Sequence, residues 1–147
     1  MEASNERAIQ ILVANYAESH RNPTNEIIHC VCVPAIVLSV LGFIWAAHPL
    51  AALAAVALSL FYYARLSLPF AFGMLLMSGA MLGLLYCLPQ KAILPGAIGV
   101  FVVAWIGQFI GHHIEGRKPS FFDDLRFLLI GPLFVLSLLY RRLHVAY

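Results

Sequence analysis

The sequence predicts an all-α integral membrane protein, a bundle of four to five hydrophobic membrane-spanning helices preceded by an amphipathic helix. Of its 147 residues, 62% are hydrophobic and 11% are charged, whereas about a quarter of a typical soluble domain is charged. The charges are also segregated, since Arg65 and Lys91 are the only charged residues between Glu26 and Glu115. A charge near the bilayer centre costs about 2.5 kcal/mol or more, so this stretch is expected to face lipid.

The first predicted element is an amphipathic helix over residues 4–19, in which apolar residues recur at helical spacing and Ser4 is a suitable N-cap. The helix ends before Asn22-Pro23, a pair that is typical of an N-cap followed by a proline in the first turn of a new helix. This next helix runs from Ile27 to Ala47 without a charged residue. It is therefore long enough to cross about 30 Å of hydrocarbon.

Three more apolar segments follow, and we predict spans over residues 50–64, 66–88 and 92–111. Glycines at 73, 79 and 83 in the third span are of the kind that let membrane helices approach closely. A fifth apolar segment, 125–140, is short and interrupted by Gly131-Pro132, which favours a re-entrant or tilted segment over a full span. No repeat or linker is visible, so we expect a single domain over residues 1–147.

The distribution of basic residues predicts the orientation of the bundle. If the four long segments all cross, the N-terminal arm, the Arg65 turn and the stretch 112–126 lie on one side of the membrane. That side then holds six basic residues against three on the other, and by the positive-inside tendency it is cytoplasmic. The six are Arg7, Arg21, Arg65, Arg117, Lys118 and Arg126, and the three are Lys91, Arg141 and Arg142. Consequently His20 and His29 are expected on the same membrane face as His112 and His113.

Two groups of polar residues at this face could carry chemistry. Asn25 and His29 are four residues apart and share a helix face. Helical spacing likewise aligns Trp105, Gln108, His112 and Glu115, whereas His113 points about 100° away. Imidazole is the commonest metal ligand in proteins and suits Fe, Zn, Cu and Ni, and amides nearby could orient the rings. Three histidines with a nearby carboxylate would fit a divalent metal site, but hydrogen bonding between helices explains the same residues, and spacing alone leaves both open.

The remaining polar and aromatic residues are interpreted as structural. His48 and His144 are expected to be ordinary polar groups at the membrane interface. Five aromatic residues near segment ends fit an aromatic belt at the two interfaces, namely Trp45, Tyr62, Tyr63, Trp105 and Tyr140. The odd count of three cysteines argues against a full disulfide framework.

Composition and spacing also exclude several classes of function. The net charge is +2, and the nine basic residues form no run of the kind that binds nucleic acid. The six histidines lack the His-x3-His and His-x2-His-His boxes that are typical of di-iron membrane desaturases and hydroxylases. A carrier would be expected to place its polar groups near mid-membrane in broken helices, whereas these crowd one interface.

The two polar stretches together resemble the family of membrane 2-hydroxy fatty acid dioxygenases. The resemblance covers nearly the whole chain, and its motifs lie near both ends, with unremarkable apolar helices between them. Several spaced identities in the right order make it specific. The motifs are Tyr16-x3-His20-x2-Pro23-x-Asn25-x3-His29-x4-Pro34 and, late in the chain, Trp105-x2-Gln108-Phe109-Ile110-Gly111-His112 with Glu115-x3-Pro119.

The resemblance implies an enzyme that uses Fe2+ and O2 to α-oxidise a 2-hydroxy fatty acid to an acid one carbon shorter. It assigns His20, His29 and His112 as iron ligands, Glu115 as a further ligand or base, and Asn25 and Gln108 as groups around the metal. It also implies a bacterial inner membrane or the endoplasmic reticulum, with the histidines at the cytoplasmic face. The alternative is a membrane protein of the same fold that binds zinc or another metal and has a different lipid-related or carrier role.

Overall fold

A computed structural model describes residues 2–18, 20–116 and 128–145, with side chains from residue 9 onwards. Within these ranges the chain forms six helices and no strand, which confirms the predicted all-α class. The helices are α1 (Glu2–Ala17), α2 (Pro23–Ala47), α3 (Pro49–Leu66), α4 (Leu68–Cys87), α5 (Gln90–Glu115) and α6 (Gly131–Leu143). The stretch 117–127 lies outside the described residues, and with it the predicted placements of Arg117, Lys118, Pro119 and Arg126.

Four of the helices, α2 to α5, are long and apolar enough to cross a membrane, so the protein is an integral membrane protein. The two helices that carry the polar motifs reach beyond their apolar runs. Helix α2 begins at Pro23, and the side chain of Asn22 accepts a hydrogen bond from the Thr24 amide at 2.9 Å, which confirms the predicted N-cap and first-turn proline. Helix α5 continues to Glu115, which adds a polar turn at the same end of the bundle.

Two predictions about the starts of the other helices were wrong. His48, expected to be an ordinary interface residue, caps α3 by accepting a hydrogen bond from the Leu50 amide at 3.2 Å. The prediction that Ser4 caps the first helix is wrong, because α1 already begins at Glu2.

The described part of the fifth apolar segment, residues 128–140, contains no helix long enough to span a membrane. Helix α6 has 13 residues and is therefore about 20 Å long, less than the roughly 30 Å of hydrocarbon. Gly131 and Pro132 begin this helix rather than interrupt it. Arg141, near its end, lines a surface cavity together with Arg21. The prediction that Arg141 and Arg142 lie on the far side of the membrane is thus wrong, because α6 is too short to carry them across.

The bundle is held together by the packing of α2 against α5 and by two apolar clusters. Helices α2 and α5 form the most extensive helix pair and run antiparallel, so the start of α2 meets the end of α5. One cluster lies towards the opposite end and includes Leu41, Trp45, Met81 and Leu85. The other joins α1, α3, α4 and α6 through Ile9, Tyr63, Phe70, Met74, Leu133, Leu136 and Tyr140.

The aromatic-belt prediction is wrong for four of its five residues, since Trp45, Tyr63, Trp105 and Tyr140 are buried and only Tyr62 is exposed. The two buried tyrosines tie elements together through their hydroxyls. Tyr63 donates to the Leu129 carbonyl at 2.8 Å and Tyr140 donates to the Pro69 carbonyl at 2.6 Å. These bonds fix the start and end of α6 against α3 and α4.

The predicted glycine contacts are only partly found. Gly73 packs against Tyr140 and Leu136, but a Cβ at Gly79 or Gly83 would meet no atom of the described residues within 4 Å. The glycines that allow close approach between α2 and α5 are instead Gly107 and Gly111, with Gly42 of α2 packed against Ala97 of α5.

Candidate metal site

Three buried histidines from three separate elements converge at the end of the α2–α5 pair. His20 lies in the connection between α1 and α2, His29 in the second turn of α2 and His112 in the last turn of α5. Their exposed fractions are 4%, 0% and 5%. One nitrogen from each lies within 4.8 Å of the other two. The structure thus brings together the three residues that were predicted as metal ligands, and a group of this kind could bind a metal ion.

Backbone carbonyls hold the rings of two of these histidines. The Nδ1 atom of His20 lies 2.7 Å from the Tyr16 carbonyl, and that of His29 lies 3.0 Å from the Asn25 carbonyl. A carbonyl only accepts hydrogen bonds, so Nδ1 carries the proton and Nε2 carries the lone pair in both neutral rings. Such a bond to the distal nitrogen is the usual support for a histidine metal ligand.

The Nε2 atom of His29 is the clearest sign of a cation site. It is buried and has no hydrogen-bond partner among the described residues, which is costly for a polar atom. The ring of His29 meets that of His112 edge-on, with centroids 4.9 Å apart. A divalent cation between these rings would satisfy the lone pair, so the donor set fits a metal of the imidazole-binding class.

Two aromatic residues that sequence reasoning did not assign to the site fix the position of His20. Tyr16 stacks on its ring at 4.3 Å with an interplanar angle of 8°, and Phe134 of α6 lies 5.3 Å away. The contact of Tyr16 could have been inferred from the sequence, because Tyr16 precedes His20 by four residues. Phe134 gave no signal, since only the fold places α6 against the loop that holds His20.

Glu115 lies beside the histidine cluster but is not a member of it. Its two carboxylate oxygens accept hydrogen bonds from the Arg21 and Asn22 amides, both at 2.9 Å, and from Asn25 Nδ2 at 3.0 Å. A carboxylate here also faces the positive end of the α2 dipole. Glu115 therefore joins the end of α5 to the start of α2 and to the loop that carries His20.

The other two predicted residues occupy different places around the cluster. Asn25 is fully buried and connects its neighbours, because its side chain donates to Glu115 and its carbonyl holds His29. Gln108 lies one turn from His112 on the buried face of α5 and lines a small cavity next to the site. Its Oε1 atom has no hydrogen-bond partner within the described part of the chain. His113, expected to point elsewhere, is exposed.

Gly111 permits the close approach of the two helices at the site. A Cβ atom at this position would run into Asn25 Oδ1 and lie 3.3 Å from His29 Cε1. Gly107, one turn earlier, packs against Cys32 of α2. Sequence reasoning missed both glycines, although their small-x3-small spacing is a known sign of close packing between membrane helices.

Comparisons with known proteins show the family to which the chain belongs. Residues 7–143 match the family described as 2-hydroxy-palmitic acid dioxygenase Mpo1-like. The chain belongs to this Mpo1-like family. A member from the yeast Saccharomyces cerevisiae, 2-hydroxy-palmitic acid dioxygenase MPO1, is 31% identical over 136 residues, which cover 82% of this chain and 73% of the yeast protein. No solved structure matches.

The family match encloses the whole candidate site of this Mpo1-like protein. All the predicted site residues lie within the matched region, namely His20, Asn25, His29, Gln108, His112 and Glu115. The resemblance noted in the sequence is thereby confirmed at the level of the family.

Proposed function

We propose that the protein is an iron-dependent dioxygenase that α-oxidises 2-hydroxy fatty acids. The substrate R–CH(OH)–COOH and O2 would give R–COOH, carbon dioxide and water, which balances atoms and electrons because the four electrons lost by the acid reduce O2. The yeast relative is named for 2-hydroxy-palmitic acid, and we extend that substrate class to this chain. The observation that supports the proposal best is the buried cluster of three histidine nitrogens at one end of a membrane bundle.

His20, His29 and His112 are the proposed ligands of Fe2+. Three imidazoles leave positions open on an octahedral metal, and zinc is a poor alternative because it has no redox chemistry. Iron bound here would supply the activation of O2 and an anchor for the adjacent hydroxyl and carboxylate oxygens of the substrate. The backbone bonds at Nδ1 of His20 and His29 would keep their Nε2 lone pairs directed at the metal.

The neighbouring polar residues would orient the substrate and the ligands. The buried Gln108 amide lines the small cavity beside the cluster, so it is placed to bind a polar atom of the 2-hydroxy acid. Asn25 and Glu115 would act on the ligands rather than on the substrate, through the bonds that join the loop of His20 to α2 and α5. The acyl tail would extend into the membrane-spanning part of the bundle, with the head at the cytoplasmic face.

The test uses the full chain purified anaerobically in detergent. With Fe2+, O2 and 2-hydroxypalmitic acid we expect pentadecanoic acid and carbon dioxide in equal amounts, and none when a chelator is present. His112→Ala should lose both the product and the bound iron. His113→Ala is the matched control, because this adjacent histidine is exposed, and it should keep both.

The same comparison extends to the other histidines. His20→Ala and His29→Ala should behave like His112→Ala, whereas His48→Ala and His144→Ala should behave like the parent protein. Full activity in a cluster variant would refute the ligand assignment at that position. Stoichiometric zinc together with no product from the parent protein would favour the alternative of a metal-binding protein with another lipid-related role.

A further inference from the structure

A second cavity, of about 200 Å³, lies deeper in the bundle between α2, α3, α4 and the start of α6. Its wall is mainly hydrocarbon and includes Val37, Leu41, Ile44, Val56, Leu60 and Met74. At 1.5 Å per residue along α2, the distance from His29 to Ile44 is about 22 Å. The α2 part of the wall, Val37 to Ile44, therefore lies about 12–22 Å from His29 along the helix, towards the opposite end of the bundle.

The hydroxyl groups in the cavity wall are already used by the protein. Ser59 donates to the Ala55 carbonyl at 2.9 Å, Ser78 donates to the Met74 carbonyl at 2.6 Å, and Tyr63 donates to the Leu129 carbonyl. None of these three donors is directed at an occupant. The wall thus suits a chain without polar groups, since none of these hydroxyls has a proton left to donate to a ligand.

The small cavity beside Gln108 adjoins this region. It has a volume of about 20 Å³ and is lined by Tyr16, Val33, Trp105, Gln108 and Gly131, among others. Leu128 lines both cavities, so the two lie on either side of one side chain. A Cβ at Gly131 would lie 3.1 Å from Val33 and 3.4 Å from the Tyr16 hydroxyl. Gly131 therefore packs closely against Val33 and Tyr16 in the wall of the small cavity.

We propose that this cavity of about 200 Å³ binds the distal part of the acyl chain of the substrate, a proposal that rests on the dioxygenase function above. The head would lie at Gln108 and the histidines, and the chain would pass Leu128 towards Ile44 and Ala55. Fifteen C–C bonds of about 1.5 Å at tetrahedral angles extend about 19 Å, which matches the distance to the far wall. Because bilayer and cavity are both apolar, transfer of the chain gains little free energy. Fit at the far wall would therefore set the preferred chain length.

The test compares two alanines of α3. Ala55 lines the cavity, whereas Ala57 is exposed on the outer face, about 200° around the helix. We would cross-link the full chain in lipid nanodiscs to a 2-hydroxy fatty acid of palmitic length with a diazirine at its last carbon. Labels should fall on the cavity-lining residues of α2 and α3 in the parent and in Ala57→Phe, and should be lost from them in Ala55→Phe. These residues are Val37, Val40, Leu41, Ile44, Ala55, Val56, Ser59 and Leu60. Ala55→Leu replaces Ala55→Phe where the larger side chain prevents folding.

Turnover provides the second readout. Ala55→Phe should lower kcat/KM for 2-hydroxypalmitic acid about tenfold or more relative to 2-hydroxydecanoic acid, since an inserted ring overpacks the far wall. Ala57→Phe should keep the ratio of the parent. An unchanged ratio in Ala55→Phe, or labels spread over outward-facing residues such as Leu58 and Phe61, would overturn the acyl site. Labels confined to the cavity of a protein that oxidises no 2-hydroxy acid would support the acyl site and refute the dioxygenase function.

Discussion

At the scale of single residues, the site is organised by bonds that reach the histidines indirectly. The i, i+4 pairs Tyr16/His20 and Asn25/His29 are visible in the sequence, and in both the carbonyl of the earlier residue holds the ring of the later one. The bonds of Glu115 are not visible there. They depend on the register of α5 against α2 and on the path of residues 20–22, which no local pattern encodes. Sequence reasoning therefore found the residue but not its contacts.

We expect Glu115 to act as a positioning residue. Glu115→Ala removes the acceptor for two loop amides and for Asn25, so the loop that carries His20 should lose its fixed position. The affinity for Fe2+ should fall about 10–100-fold, as for other residues that support metal ligands. Turnover at saturating iron should stay close to that of the parent. Equilibrium dialysis with Fe2+ and assays over a range of iron concentrations measure the two effects separately.

Two further variants interpret the Glu115 result. Glu115→Gln keeps one acceptor oxygen and the side-chain length, so its loss of iron affinity should be smaller than that of the alanine variant. Glu18→Ala removes an exposed carboxylate two residues before His20 and should not change the affinity for Fe2+. A collapse of turnover that saturating iron does not restore would instead assign Glu115 to the chemistry, as a ligand or base.

At the scale of helices, existence and order were predictable while contacts between them were not. Long uncharged stretches such as 27–47 define the spans, because charged residues are costly in the lipid interior. Which glycine faces a neighbour depends on helix rotation, and a nearly uniform apolar surface does not reveal it. Hence Gly79 and Gly83 have no neighbour within 4 Å among the described residues, although their spacing resembles that of the glycines that do pack, Gly107 and Gly111.

Gly111→Ala should disturb the site from within α5. The added methyl group would collide with Asn25 Oδ1 and press on His29, so α2 and α5 would have to separate. We expect a loss of stability of about 1–3 kcal/mol, together with weaker iron binding. Thermal unfolding in one detergent and iron titration provide the measurements.

Gly99→Ala is the matched control for Gly111→Ala. Gly99 lies in the same helix, and a Cβ there would meet no atom of the described residues within 4 Å. The replacement should leave stability unchanged or raise it by up to about 1 kcal/mol, because glycine is unfavourable inside a helix. If Gly111→Ala and Gly99→Ala have the same stability and the same affinity for iron, close packing at Gly111 does not support the site.

At the scale of the whole molecule, composition was enough to predict a membrane protein. The membrane side of Arg141 and Arg142, however, could be assigned only once the length of α6 was known. A sequence count treats the apolar segment 125–140 as a possible crossing. The structure shows a helix of 13 residues whose end returns Arg141 to Arg21. Among basic residues in the described ranges, Lys91 alone is then left at the end opposite the histidines. The positive-inside tendency therefore favours a cytoplasmic histidine face more strongly than the sequence count did.

Cysteine accessibility tests this orientation and the path of α6 together. In a variant without native cysteines, Gln90→Cys and Arg141→Cys each place one thiol at an exposed position. A membrane-impermeant maleimide applied to the non-cytoplasmic side should label Gln90→Cys at once. Arg141→Cys should react only after the membrane is permeabilised, because α6 is too short to cross. Labelling of both without permeabilisation would mean that α6 spans the membrane, and the reverse pattern would place the histidine cluster on the non-cytoplasmic side.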